Sequence, residues 1–559
     1  MNQTRDFFVF VLLVSVVSIM FFLGGNYYSK GEPREAIVAV SMLQDGNWVL
    51  PQNNGGDLAY KPPFFHWCIA LFSLPQGHVS EATSRLPSAV ALVLLVLSTF
   101  VFARRRSDNV ALLASLLTLT AFEVHRAGMN CRVDMVLTAL IVGAMFLLYR
   151  WYERDLRGLP WWAILCMSLA TLTKGPVGII LPVFVMGLFL LYRRTHFWRI
   201  VWKLALCTLL SLLIPIAWYV AAYQQGGDAF LSLVYEENLG RMLGKMSYDS
   251  HLHPFTYNFL TLLTGWLPWM LLFLFALFTI KFERIKDWKT ILRDADAFQS
   301  FTWIAFVAVL FFYCLPSSKR SVYLLPCYPF MAILLAEWMI FLCKKRRLLP
   351  YKIFLGFLVA IALLVPLAMV AVRCGWIPQT IFSGKHAAQN QSLLLWLQTA
   401  ELTVWQIGLI ALSLLVAVAG LCVLIGKRWN GSAKWLVSAI FALVLSLYLL
   451  FDGVLKPLVL SQKSDVPLAE AIEKRFDSDE TICGFIDDDY LRFYATNFYL
   501  GDRIVPLQQS DAQTGVLMVA ERDLEALRNK FQIELTPIAR TSRPMTERKD
   551  VIRFYRFKR

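Results

Sequence analysis

The sequence predicts an α-helical polytopic membrane protein, with about 13 transmembrane helices and a small C-terminal α/β domain of about 100 residues. Three observations predict it. Of 559 residues, 57% are apolar and only 17% charged, where a soluble domain carries about 45–50% and about 25%. The apolar residues fall in runs of spanning length, and Lys/Arg clusters occupy alternate gaps between them. From residue 456 the long runs stop and shorter helical and strand patterns replace them.

The candidate spans lie near 7–25, 84–103, 110–124, 133–149, 161–173, 175–192, 201–222, 259–280, 300–315, 322–343, 351–372, 404–426 and 434–455. A helix of this length satisfies its own backbone in hydrocarbon. The basic clusters are Arg104–Arg106, Arg150/Arg154/Arg157, Arg193/Arg194/Arg199, Lys281/Arg284/Lys286/Lys289, Lys344–Arg347 and Lys427/Arg428. With a cytoplasmic N-terminus, every cluster falls on the inner side. An odd span count then puts the tail from about residue 456 outside the membrane. Gly24-Gly25-Asn26 makes a poor cleavage site, so the first run reads as a retained anchor. The net charge of +15 follows this topology and implies no nucleic-acid partner. Ten cysteines are spread singly with no C-x-x-C pair, which argues against a disulfide framework or a structural metal.

Residues 1–455 therefore form the membrane domain and 456–559 the outer α/β domain. In the latter, Val466–Phe476 and Asp523–Lys530 read as helices. Thr481–Ile486, Val516–Ala520, Phe531–Thr541 and Val551–Phe557 read as strands. Asp487-Asp488-Asp489 fits a solvated cap before a helix at Tyr490 better than a cation site. There is no phosphate-binding glycine pattern and no nucleophile elbow.

The outer loops carry the chemistry. The first, about 26–82, contains Gly31-Glu32-Pro33-Arg34-Glu35 and Tyr60-Lys61-Pro62-Pro63. The second carries His125-Arg126 and Arg132-Val133-Asp134, and the third Thr173-Lys174-Gly175-Pro176. The fourth, about 223–258, holds Glu236-Glu237-Asn238, Arg241, Lys245, His251 and His253. The fifth holds Ser317-Ser318-Lys319-Arg320 and Tyr323. A single arginine such as Arg34 or Arg241 equally fits a snorkel to headgroups. Cations from five loops together suit a phosphate, and carboxylates at span mouths suit a hydroxyl nucleophile or a developing sugar cation. Outside the membrane there is no nucleoside triphosphate, which points to an activated substrate carried on a lipid phosphate.

Gly31–Ala36, Gly46-Asn47-Trp48-Val49-Leu50-Pro51 and Tyr60–Trp67 resemble the first outer loop of GT-C glycosyltransferases. More narrowly, they resemble that of the bacterial lipid A aminoarabinose transferases, relatives of protein O-mannosyltransferases. Arg126–Asp134, Thr173–Pro176, Asn238/Arg241/Pro254 and Ser318–Pro326 resemble further stretches of that family, in order. The resemblance implies transfer of a sugar, 4-amino-4-deoxy-L-arabinose or a similar one, from a polyprenyl-phosphate donor to lipid A or another glycan or protein acceptor. It implies that Lys61, Arg241 and Tyr323 hold the donor phosphate, helped by Lys174 and Arg34. Tyr60, Lys319, Arg320, Asn238 and His253 are further site candidates. Two departures stand out. The family's leading aspartate falls on Gly31, which shifts the carboxylate role to Glu32 with Asp134 in support. Its glutamate before K-P-P is Tyr60 here, so no tightly held metal and no cofactor are expected. A protein O-glycosyltransferase, another glycan-assembly transferase and a lipid-phosphate transporter are the alternatives.

Overall fold

Hydrophobic length dictates the architecture. Among the described residues nine helices are long and apolar enough to cross a bilayer. Two bent pairs raise this to eleven: Asp108–Leu119 with Phe122–Gly128, turning by 67°, and Tyr257–Gly265 with Trp269–Thr279, turning by 98°. Two shorter packed helices, Trp161–Lys174 and Val177–Tyr192, complete the thirteen runs read from sequence. The turn between them falls at Gly175, whose φ of 86° favours glycine. The structure is a computed structural model that describes residues 2–237, 252–279, 296–384, 387–477, 480–488, 491–542, 544–545 and 547–559. The basic cluster at 281–289 lies outside them.

Ion pairs identify one pole of the bundle. Arg105 pairs with Glu153 at 2.6 Å, and Arg106 with Asp296 and Glu337. The gaps that sequence assigns to one side therefore meet in space. The opposite pole, called here the loop pole, carries residues 21–80 and the C-terminal domain. Its long loop is folded: helix Gly31–Asp45, a hairpin of β1 (Gln52–Asn53) and β2 (Asp57–Leu58), and helix Phe64–Ser73. Gly46 ends the first helix in the left-handed conformation at φ 68°. Ser80 then caps the span Glu81–Ala103 through a capping box with Thr83.

The final span, Ala433–Leu450, continues through a widened turn at Phe451–Leu455 and helix Lys456–Leu460. The C-terminal domain that follows is a five-stranded sheet ordered β4-β3-β5-β7-β6. Its strands are β3 (Ile482–Phe485), β4 (Ile504–Pro506), β5 (Thr514–Ala520), β6 (Glu534–Arg540) and β7 (Ile552–Lys558). β4, β3 and β5 run parallel, while β7 and β6 are antiparallel additions. Alternation along β5 sends Val516 and Met518 toward helix Val466–Arg475. Leu517 and Val519 go to the other face, under helix Leu524–Lys530.

Sequence patterning missed β4 and helix Tyr494–Tyr499. The helix expected from Tyr490 starts at Tyr494, and Asp487 pairs with Lys530 at 2.7 Å. The missed elements dock the domain onto the first loop. Asn497 Nδ2 donates to Asn54 Oδ1 (2.8 Å) and Asp502 Oδ1 (2.7 Å), and Asn54 N–H donates to the same Asp502 oxygen at 2.8 Å. Tyr499 joins the bundle, accepting from Tyr27 N–H and donating to Glu81, both at 2.9 Å.

Asn497→Ala strips buried partners from Asn54 and Asp502, at about 1–3 kcal/mol. Limited proteolysis in detergent should release the C-terminal domain faster from this variant than from the wild type, with the membrane part intact.

Candidate active site

Helix Gly31–Asp45 lies between bundle and C-terminal domain, with eleven of its fifteen residues buried. Residues four apart share a helix face, and adjacent residues point about 100° apart. Gly31 and Glu35 therefore look the same way, and Glu32 lies about 60° around the helix from Glu35, far enough for it to meet a different partner. Glu32 accepts from Arg85 Nε (2.8 Å) and Nη2 (3.2 Å), and from Cys131 N–H (3.0 Å). Burial pushes its carboxyl up, but the Arg85 guanidinium and the Cys131 N–H outweigh it and hold the value below the ordinary range. Sequence reading expects a catalytic carboxylate at Glu32; in the structure both of its oxygens fasten the helix to the bundle.

Glu35 does face the loop pole's cations. It accepts from Lys61 Nζ at 2.6 Å, lies 3.1 Å from His66 Nε2, and has Arg34 Nη2 at 3.5 Å. Burial raises its carboxyl, yet Lys61, His66 and Arg34 together bring it well below the usual value. Lys61 is half-buried just before Pro62-Pro63, which lead into helix Phe64–Ser73. Burial and the neighbouring Arg34 push its ammonium down to about 8, against the opposing pull of Glu35 and Glu237.

A second group stands at the mouths of two spans. Asp134, in the first turn of Val133–Glu153, accepts from Lys174, the last residue of Trp161–Lys174. The Lys174 ammonium lies 4.6 Å from the Tyr323 ring centre, and Tyr323 stacks on Tyr313. Arg320 is half-buried within electrostatic reach of Asp134, Arg132 and Arg34, and burial, then Arg132, lower its guanidinium below the ordinary value. Arg132 lies across Gly31, with Nη1 3.4 Å from the Gly31 carbonyl. Tyr60 is half-buried in reach of Arg34.

The remaining candidates divide. Lys319 is 4% exposed and donates to the carbonyls of Pro316 (2.6 Å) and His253 (3.1 Å), so it staples two loops together. The His253 ring stacks on Tyr257 at 4.0 Å. Asn238 and Arg241 lie outside the described residues, as do Lys245 and His251. The sequence reading missed Glu35 and His66 as site residues, although helical spacing from Gly31 singles out Glu35. It also missed Arg85, masked inside an apolar run.

A family model described as dolichyl-phosphate-mannose-protein mannosyltransferase matches residues 60–219. An uncharacterized protein of Aquifex aeolicus is 30% identical over 335 residues, 59% of this chain; the match spans 64% of the Aquifex protein's length. A Proteus mirabilis protein named undecaprenyl phosphate-alpha-4-amino-4-deoxy-L-arabinose arabinosyl transferase 2 is 26% identical over 442 residues, 76% of this chain and 73% of that one. The crystal structure of ArnT from Cupriavidus metallidurans bound to undecaprenyl phosphate superposes with a TM-score of 0.70 at 19% identity, covering 99% of this chain and 98% of that one. The fold is thus that of the GT-C membrane glycosyltransferases. Within that class the chain resembles the aminoarabinose transferases, as its loop motifs indicate.

Glu32→Ala leaves Arg85 buried and uncompensated, a loss of about 3–5 kcal/mol. A thermal melt in detergent should show this variant strongly destabilised, whereas Glu35→Gln should lose less, because its partners Arg34 and Lys61 are partly exposed and can turn to water where Arg85 cannot.

Proposed function

We propose that this chain is an integral membrane glycosyltransferase that moves a sugar from a polyprenyl-phosphate donor to lipid A. It works at the outer face of a bacterial inner membrane, with the N-terminus cytoplasmic and the C-terminal domain periplasmic. One observation carries the reading. Among the described residues, Arg34, Lys61, Arg132, Lys174 and Arg320 gather at one pole with Glu35, Asp134 and Glu237. That surplus of positive charge fits a lipid phosphate lying at this depth with its prenyl tail among the spans.

In the mechanism this supports, Glu35 and Asp134 hold Lys61 and Lys174 charged and aimed before the donor arrives. As the bond between the anomeric carbon and the phosphate oxygen breaks, negative charge builds on the departing phosphate and the two ammonium groups stabilise it. Groups already oriented in a partly dry site contribute several kcal/mol in this way, with little reorganisation. Tyr323 lies beneath Lys174 and completes the donor side with its phenol. Arg241 belongs to this assignment by motif. No cofactor enters the scheme, and nucleic acid has no part in it. The Proteus relative's name supports 4-amino-4-deoxy-L-arabinose, or a similar sugar, as the group moved. The family description over residues 60–219 favours a protein acceptor as the second reading.

Mass spectrometry of lipid A from cells with and without the gene should show a pentosamine-sized addition that depends on this chain. An unchanged spectrum would count against lipid A and direct attention to glycoproteins. Lys61→Ala should abolish transfer while membrane insertion stays normal; wild-type turnover there would remove Lys61 from the site. Donor binding should also weaken as pH rises. Lys61 carries its proton below about 8, and the charged fraction falls about tenfold per pH unit above that point. In Lys61→Arg the guanidinium stays charged, so this inflection should vanish from the pH profile of the donor KM.

A further inference from the structure

Lys61 is held by a carboxylate that is itself held. Glu35 Oε1 accepts from Lys61 Nζ at 2.6 Å, and its other oxygen, Oε2, faces His66 Nε2 at 3.1 Å. The His66 imidazole is 1% exposed and comes from a separate helix, Phe64–Ser73. Arg34 meets the same oxygen as Lys61, at 3.5 Å and from a half-exposed side chain, so it does little to fix the group. The last torsion of a glutamate is broad, and contacts to one oxygen leave the carboxylate free to turn. A contact on the opposite oxygen sets its plane.

The second nitrogen of the ring sharpens this. His66 Nδ1 is buried and has no hydrogen-bond partner among the described residues. Donation from Nε2 to Glu35 leaves Nδ1 as a bare lone pair, whereas a proton there would be a buried donor without an acceptor. A ring buried for packing alone would be better apolar, since it would strand no nitrogen. We infer that His66 is a positioning residue for the donor phosphate: by holding Glu35 Oε2 it turns Oε1 onto Lys61 and keeps that ammonium aimed before the donor enters. The inference rests on the transferase reading, in which Lys61 meets the donor phosphate. His66 touches no substrate and acts through Glu35, as supporting groups do in a site oriented in advance.

Competitive acetylation of the full-length protein in detergent, read by mass spectrometry across pH, follows Lys61 without any substrate. Lys61 faces Arg34, Glu35 and Glu237, and burial and Arg34 push it down to about 8. In His66→Asn the amide stands at the Nδ1 position and leaves Oε2 bare. In His66→Gln it reaches the Nε2 position and donates to Glu35. His66→Asn should move the Lys61 titration to lower pH, because a loosened Glu35 supports the ammonium less. It should also weaken undecaprenyl phosphate binding, read by native mass spectrometry, about fivefold. His66→Gln should restore most of both. Lys174, which pairs with Asp134, should label as in the wild type and serves as the internal control. In a Glu35→Gln background His66→Asn should add almost nothing. An unmoved Lys61 titration in His66→Asn, no recovery in His66→Gln, or an undiminished effect in the Glu35→Gln background each overturns the inference and marks His66 as packing alone. A shifted Lys61 titration in a protein that transfers no sugar would sink the transferase reading and leave the positioning standing. Sugar transfer with Lys61 unmoved in His66→Asn would do the reverse.

Discussion

A carboxylate buried at the rim of an apolar bundle costs several kcal/mol unless a cation meets it. Helix Gly31–Asp45 carries two such groups a single turn apart. Glu32 turns into the bundle and meets Arg85, whose remaining nitrogen donates to the Leu23 carbonyl at 2.6 Å. Glu35 turns along the rim and meets Lys61, His66 and Arg34. The first pair closes the structure and the second prepares a site. The two side chains stand only about 60° apart around the helix, so it is their partners, Arg85 on one side and Lys61 on the other, that divide their roles.

The C-terminal domain is held to this same helix and to the hairpin that follows it. Asn54, Asn497 and Asp502 share one set of hydrogen bonds across the junction, and Ser41 of the helix adds a 3.2 Å contact to Asp502. Arg492 reaches Asp57 on β2 at 2.9 Å. The domain therefore covers the loop that carries Glu35 and Lys61, and Tyr494 comes within electrostatic reach of Arg34. Such cover limits water and strengthens each charge interaction beneath it. It links a sheet far along the chain to the electrostatics of the first loop.

The site's position at the rim suits the chemistry assigned to it. A prenyl chain needs hydrocarbon and its phosphate needs cations and hydrogen-bond donors, and these requirements meet where spans end. Lys174 and Asp134 stand at two such ends and Lys61 at the start of a loop helix.

Much of this was legible in the amino-acid sequence. Hydrophobic length set the spans, alternating basic clusters set which gaps share a pole, and the loop motifs named Lys61, Asp134, Lys174 and Tyr323. Those signals are local, because the bilayer imposes length and charge rules on each segment separately. Helix Tyr494–Tyr499 left no such signal, being six residues, five of them aromatic or polar, whose stability comes from docking. Arg85 was hidden within an apolar run until Glu32 was found beside it. Only the tertiary structure decided that Glu35 rather than Glu32 faces the cations, and that Arg132 fills the space over Gly31. Both depend on which distant groups a side chain meets, and pairing energies between remote segments are written in no single stretch of sequence.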